Sequence, residues 1–93
     1  MPDPEAEVTG AYIGDLLSWV MGRASEGDAW ITIMSNVNTV AVATLTGVSC
    51  IILAEGVTLD DEVLSTAKNK GVNVLSTVMS AYDCAVALNG VLR

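Results

Sequence analysis

The stretch GVSCIILAEG, from Gly47 to Gly56, constrains the fold more than any other part of the chain. Between the two glycines, Val48 to Ala54 carries no charge and consists mostly of aliphatic and β-branched residues. A short apolar run bounded by glycines is typical of a strand that is buried on both faces. Such strands lie inside parallel sheets with helices on either side, so we take this stretch as the central strand of an α/β fold.

The flanking segments alternate between helical and strand patterns. Predicted strands cover residues 7–11, 30–34 and 72–75, and predicted helices cover residues 12–24, 39–46, 58–70 and 81–92. The resulting order, β-α-β-α-β-α-β-α, predicts a parallel sheet with right-handed crossovers.

Helix ends are predicted from capping chemistry. Asn38 is the expected N-cap of the second helix and Gly47 its expected C-terminal residue. Thr58 and Asp61 resemble a capping box at the start of the third helix, and Gly71 follows its end. The side chain of Ser80 is expected to cap the last helix.

Composition favours one small domain that forms a homodimer. The chain has 93 residues, of which 52% are hydrophobic and only 16% charged, an apolar composition for so small a protein. Obligate homodimer interfaces resemble a domain core cut in half, so part of this apolar surface is expected to contact a second copy. We expect a disordered leader over residues 1–6 and a single domain over residues 7–93.

Several kinds of site are excluded. A net charge of −7 with four basic residues argues against nucleic-acid binding, which needs clustered Lys and Arg. The chain contains no His, and Cys50 and Cys84 match no zinc or redox spacing, so both thiols are expected to be buried and structural. No metal or cofactor is expected. The sequence has no P-loop and no G-x-S-x-G motif, and we therefore expect no enzymatic activity.

Membrane insertion and export are not expected either. Residues 29–54 carry no charge, but Ser, Asn, Thr and Gly residues interrupt the run and its periodicity changes twice. The acidic N-terminus has no basic and apolar signal segment, and the two cysteines do not require an oxidising compartment. The expected location is the cytoplasm.

Polar residues follow three of the predicted strands. The carboxyl ends of parallel strands meet at one edge of the sheet, where ligands bind near a switch in strand order and helix N-termini favour anions. The candidate ligand-binding residues at this edge are Ser35, Asn36, Asn38, Glu55, Gly56, Ser76, Thr77, Ser80 and Asp83. Loop turns and helix caps explain the same residues without a ligand.

Three segments carry a resemblance to a known family. They are VTGAYIGDLLSWVMGRASEGDAWITI, VAVATLTGVSCIILAEG and KGVNVLSTVMSAYD, which resemble the DRTGG domain, and more narrowly its short stand-alone members. The resemblance covers nearly the whole chain from Glu7, and Gly27-Asp28 before a strand is a good marker. It implies a three-layer α/β/α sandwich on a four-stranded parallel sheet, similar to the N-terminal domain of HPr kinase.

The resemblance also implies a function. DRTGG domains look like regulatory or dimerising modules, and their stand-alone members are associated with iron-only hydrogenase gene clusters. The family's Asp-Arg-Thr falls at Ser35, Asn36 and Val37, and its Gly-Gly at Glu55-Gly56, so this chain lacks the arginine that could grip a phosphate.

Two functional hypotheses follow. The first is a non-catalytic regulatory or assembly module, homodimeric, that docks on a partner enzyme. The second is a sensor that binds a small polar, nucleotide-like ligand at the strand-end loops.

Overall fold

The computed structural model describes residues 6–92, which form four strands and four helices in strict alternation. The elements are β1 (Gly10–Ile13), α1 (Leu17–Arg23), β2 (Asp28–Thr32), α2 (Val37–Thr46), β3 (Cys50–Leu53), α3 (Asp61–Asn69), β4 (Val74–Ser76) and α4 (Ala81–Leu92). The predicted α/β order is therefore confirmed. The predicted leader, except for Ala6, lies outside the described residues.

The four strands form one sheet in the order β1-β2-β3-β4, and every pair is parallel. Trp30 in β2 stands between Tyr12 in β1 and Ile51 in β3, and Ile51 in turn stands beside Val74 in β4. As predicted, the run after Gly47 forms an interior strand, β3. The strand order never reverses, so the sheet has no topological switch point, contrary to our expectation from general α/β topology.

The constant strand order decides where the helices lie. Successive right-handed crossovers in one direction put α1, α2 and α3 on the same face. One core cluster confirms this, since it joins Val20 of α1, Val40 of α2 and Val63 of α3 to Trp30 and Ile51 of the sheet. We call this side the three-helix face.

Helix α4 alone covers the opposite face, which we call the α4 face. Cys84 of α4 packs there against Ile31 and Ala54, with Ile52 and Leu88 partly buried beside them. The result is a three-layer sandwich with three helices on one side and one on the other. Residues 50–54 alternate between the faces, as a strand buried on both faces requires, because successive side chains of a strand point in opposite directions.

The N-terminal boundaries differ from the prediction. The strand expected over residues 7–11 is Gly10–Ile13, and the helix expected from Tyr12 begins only at Leu17. Tyr12 and Ile13 pair with β2, and the Trp30 indole N–H donates to the Gly14 carbonyl at 2.9 Å. Ile13 lies at helical spacing from Leu16, Leu17 and Val20, so the hydrophobic periodicity extends the predicted helix too far.

Two predicted helix caps each differ from the observed cap by two residues, the first placed too late in the chain and the second too early. Asn36, not Asn38, caps α2, because its side-chain oxygen accepts from the backbone N–H groups of Asn38 at 2.9 Å and Thr39 at 3.3 Å. Asp60, not Thr58, caps α3 and accepts from the Val63 N–H at 2.9 Å. Gly47, with φ +76°, ends α2 as predicted.

Candidate functional site

The carboxyl edge of the sheet collects the loops that follow each strand. At the β1 end of this edge, Asp15 accepts hydrogen bonds from the Thr32 hydroxyl at 2.7 Å and from the Ile33 N–H at 3.0 Å. Asp15 therefore fixes the point at which the chain leaves β2. The predicted helix over residues 12–24 would instead place Asp15 in its first turn. A prediction that ended the first strand at Ile13 would have placed Asp15 correctly, because the end of the strand Gly10–Ile13 brings Asp15 to this edge.

The β3–α3 loop is tied to the β4–α4 loop. The Glu55 N–H donates to the Met79 carbonyl and the Gly56 N–H to the Thr77 carbonyl, both at 2.8 Å, while the Thr77 N–H donates to Leu53 at 2.9 Å. Of the predicted site residues, the structure thus brings Glu55, Gly56 and Thr77 into one cluster.

Two residues in this cluster have left-handed backbone conformations. Glu55 has φ +60° and Gly56 has φ +76°, and Glu55 is the one non-glycine residue with positive φ among the described residues. The conformation is unusual for a glutamate because its Cβ crowds the backbone. It turns the chain so that two successive N–H groups can reach the β4–α4 loop.

The β2–α2 loop forms a second group. Asn36 is occupied as the α2 cap, Asn38 is exposed in the first turn, and Ser35 is half-buried just before the cap. Asn36 borders a cavity of about 260 Å³ whose other walls include Asp60 and Glu62 of α3. Asn36 therefore lies at one end of the groove between α2 and α3.

The β4–α4 loop supplies the remaining candidates. Ser80 caps α4, as predicted, with its hydroxyl accepting from the Asp83 N–H at 3.1 Å. Ser76 ends β4 and is exposed, and so is Asp83 in the first turn of α4. The nine predicted site residues thus lie in three loops and the strand ends and first helical turns beside them, all at one edge.

The polar groups that remain available at this edge are mainly oxygen atoms that accept hydrogen bonds. The N-termini of α2, α3 and α4 are capped by Asn36, Asp60 and Ser80, and the loop N–H groups of Glu55, Gly56 and Thr77 are already bonded to carbonyls. A phosphate needs free N–H groups or cations, so the geometry offers little to hold one.

Charge is distributed unevenly between the two edges of the sheet, because the described carboxyl edge carries acids alone whereas the other edge carries Glu26 and Asp28 together with the basic residues. Helices in this fold run opposite to the strands, so helix N-termini lie at the carboxyl edge and helix C-termini at the other. The carboxyl edge carries these acids: Asp15, Glu55, Asp60, Asp61, Glu62 and Asp83. The basic residues of the described chain, Arg23, Lys68 and Lys70, lie at or just beyond the C-terminal ends of α1 and α3. Arg23 stacks on Trp19, with 4.1 Å between the guanidinium carbon and the ring centroid.

The two thiols lie on the α4 face and not at the carboxyl-edge loops. Cys50 and Cys84 are free and buried, as predicted. Burial raises the pKa of both, and proximity to Cys84 raises the pKa of Cys50 further.

Within residues 6–92, no group of three or more Cys, Asp or Glu side chains is arranged to hold a metal ion. Over the same residues, no helix is long and apolar enough to cross a membrane.

Comparison with known proteins decides the family. The model of the DRTGG domain matches residues 8–91, which is nearly the whole chain. The chain belongs to the DRTGG domain family. No curated protein sequence matches it.

One solved structure similar to this DRTGG domain contains the CBS and DRTGG domains of the regulatory region of Clostridium perfringens pyrophosphatase, complexed with its activator, diadenosine tetraphosphate. The match has a TM-score of 0.68 and 21% identity, and covers 82% of this chain. This DRTGG domain spans only 33% of the length of that structure. The likeness confirms the three-layer fold.

Proposed function

We propose that this DRTGG domain is a non-catalytic regulatory or assembly module that forms a homodimer and docks on a partner enzyme. Its family supports a regulatory role, because a DRTGG domain stands in the regulatory region of the pyrophosphatase. The association with iron-only hydrogenases that the resemblance implies makes proteins of that system the first partners to test.

The observation that carries the docking proposal is the incomplete cover of the α4 face. Four strands about 4.8 Å apart span roughly 14 Å between the outer two, whereas a helix with its side chains is about 10–12 Å wide. One helix therefore cannot cover the edge strands β1 and β4 on this face. Ile13 on β1 and Leu75 on β4 are 50% and 40% exposed, although their register neighbours Ile31 and Ile52 are buried or half-buried.

Helix α4 itself is apolar on its outer side. Tyr82 is 75% exposed and Val86, one turn later, is more than half exposed. Asp83 is the sole charged residue of the helix. A surface helix normally places charged residues on its outer face, and large exposed apolar surfaces mark interaction sites. The outer side of α4, with Leu75 beside it in the sheet, is the surface we assign to the partner enzyme.

A substitution on α4 tests this assignment. Val86→Glu places a charge on the exposed side and should leave the fold intact, as far-UV circular dichroism can show. Tagged wild-type protein should retain a specific enzyme from lysate of the native cell, and Val86→Glu should lose that enzyme. Leu64→Glu, an equally exposed position on α3, should retain it. An enzyme captured equally by all three proteins would contradict the assignment.

The competing function is a sensor for a nucleotide-like ligand at the carboxyl edge. The diadenosine tetraphosphate in the pyrophosphatase complex favours testing it. The acids and the occupied N–H groups of this edge count against it. A thermal-shift measurement with diadenosine tetraphosphate and adenine nucleotides distinguishes the two functions, since a ligand that binds the native state raises the melting temperature. We expect no shift.

A further inference from the structure

A second surface, on the opposite side of the molecule, has the features of a symmetric interface. Helix α2 contains no charged residue. It lies between α1 and α3, and it buries Val40 and Ala43 against the sheet. Its outer side carries Val37, Ala41 and Leu45 in successive turns, all exposed, with Leu45 72% exposed. We call these three residues the α2 stripe.

The α2 stripe borders a groove against α3. A cavity of about 330 Å³ is lined by all three residues of the stripe, together with Thr66 and Lys70. Val37 and Thr66 also line the smaller cavity that contains Asp60 and Glu62. The two cavities together form one groove that has carboxylates at the Val37 end and an ammonium group at the Leu45 end.

The spacing along the two helices matches. Val37 and Leu45 are eight residues apart on α2, and Glu62 and Lys70 are eight residues apart along α3 and the residue that follows it. At 1.5 Å per residue, both intervals are about 12 Å. The charges therefore stand beside the two ends of the apolar stripe.

We propose that the α2 stripe is the homodimer interface, with the two copies of α2 packed antiparallel around a two-fold axis near Ala41. This inference rests on the homodimer of the proposed function and assigns its surface. An isologous interface brings the same patch of both copies together. Antiparallel packing sets Val37 of one copy against Leu45 of the other, so that Asp60 and Glu62 of each copy face Lys70 of the other.

Electrostatics selects this orientation over the parallel one. Parallel packing needs a two-fold axis along α2, which would carry α3 of the second copy to the α1 side, so Asp60, Glu62 and Lys70 would meet no complementary charge on α3 of the second copy. Complementary charges fix register and orientation, and only the antiparallel pair brings them together. Apolar contact along the stripe supplies the affinity, because exposed ion pairs contribute little.

Two substitutions of Leu45 test both the surface and the orientation. In the antiparallel dimer, Leu45→Glu adds a carboxylate opposite Asp60 and Glu62 and should raise the dimer dissociation constant on the order of a hundredfold. Leu45→Lys removes the same apolar contact but adds a favourable charge, so the increase should be on the order of tenfold. Leu64→Glu is the control, because Leu64 is exposed on α3 and does not line the groove. Sedimentation equilibrium measures all four proteins.

The outcomes separate this inference from the proposed function. A wild-type dimer that Leu45→Glu leaves unchanged refutes the α2 stripe but not the homodimer, and a wild-type monomer at micromolar concentration refutes both. Stronger dissociation by Leu45→Lys than by Leu45→Glu refutes the antiparallel orientation.

Reversal of the charges gives an independent check. Glu62→Lys and Lys70→Glu should each raise the dissociation constant by about tenfold. The double variant should return to near the wild-type value, because each new lysine faces a new glutamate of the other copy. If the dissociation constant of the double variant rises by as much as the two single effects combined, the proposed pairing of Glu62 with Lys70 is contradicted.

Discussion

The two faces of the sheet differ in how they are covered and in what they bury. The three-helix face buries Trp30, Ile51 and Leu53 under three helices, and this is the larger core. The α4 face buries Ile31, Ala54 and Cys84 under one helix and leaves apolar residues exposed on both edge strands. One face therefore provides most of the stability, while the other combines a small buried core with apolar surface that stays exposed.

This asymmetry follows from the strand order. Because the order β1-β2-β3-β4 never reverses, every crossover helix is directed to the same face. The opposite face receives only the helix that follows the last strand. A doubly wound sheet with a reversal would divide its helices more evenly and create a crevice for ligands at the switch point.

The largest effect is expected from a charge on the α4 face. Cys50→Asp places a carboxylate beneath α4, and burying an unpaired charge costs on the order of 5 kcal/mol. That is close to the whole stability of a small domain, so the variant should be unfolded or insoluble. Cys50→Ala should cost only about 1–2 kcal/mol. Urea unfolding followed by circular dichroism measures both. A soluble, cooperatively folded Cys50→Asp protein would show that the single helix fails to exclude water.

The next effect compares neighbouring residues that point to opposite faces. Trp30→Ala removes the largest side chain of the three-helix face and should cost about 3–5 kcal/mol, whereas Ile31→Ala on the α4 face should cost about 2–4 kcal/mol. Both residues are fully buried in the native protein. Urea midpoints at constant slope give the two values. A larger loss for Ile31→Ala would reverse our ranking of the faces.

The sequence predicted the central strand and several helix ends well because they depend on local patterns. The apolar run of β3 and the alternation of Cys50, Ile51 and Ile52 require only the two-residue period of a strand. The cap at Ser80 and the C-terminal glycine at Gly47 likewise depend on neighbouring residues.

Other features depend on contacts between distant segments and could not be predicted locally. The helix-like spacing after Ile13 is overridden by pairing of β1 with β2, and Asp15 acquires its role only when Thr32 is brought beside it. Strand order is also non-local, so the accumulation of three helices on one face was not predicted. The ligand-binding role of the nine loop residues stays a prediction, since caps and turns account for several of them.

A smaller effect distinguishes two threonines buried on the three-helix side. The Thr32 hydroxyl donates to Asp15, whereas the Thr39 hydroxyl in α2 is buried with no hydrogen-bond partner among the described residues. Thr32→Val should cost about 1–3 kcal/mol, because it removes the hydroxyl that donates to Asp15 and accepts from the Met34 N–H. Thr39→Val removes an unsatisfied group at constant shape and should be neutral or stabilising by about 1 kcal/mol. Melting temperatures that fall equally for both variants would mean that the Thr39 hydroxyl is satisfied in solution.

The smallest effect concerns pH and belongs to the α4 face alone. Burial raises the pKa of Cys50 and Cys84 in the folded protein. At a pH above the ordinary thiol pKa of about 8.5, the unfolded chain loses thiol protons that the folded protein keeps. The unfolded state then binds fewer protons, so the free energy of unfolding falls as pH rises toward the raised folded-state pKa.

Substitution of both thiols isolates this contribution from the other groups that titrate in alkali. The double variant Cys50→Ala/Cys84→Ala starts from a lower stability at pH 7, but its free energy of unfolding should fall less between pH 7 and pH 10 than that of the wild type. Urea unfolding of both proteins under reducing conditions gives the comparison, and the lysines and tyrosines common to both cancel. The matched double variant Val40→Ala/Ala43→Gly, on the three-helix side, should also lower stability but should keep the wild-type pH dependence. If the thiol-free protein loses as much stability in alkali as the wild type, the thiols are hydrated, and the α4 face opens to water more readily than its buried core indicates.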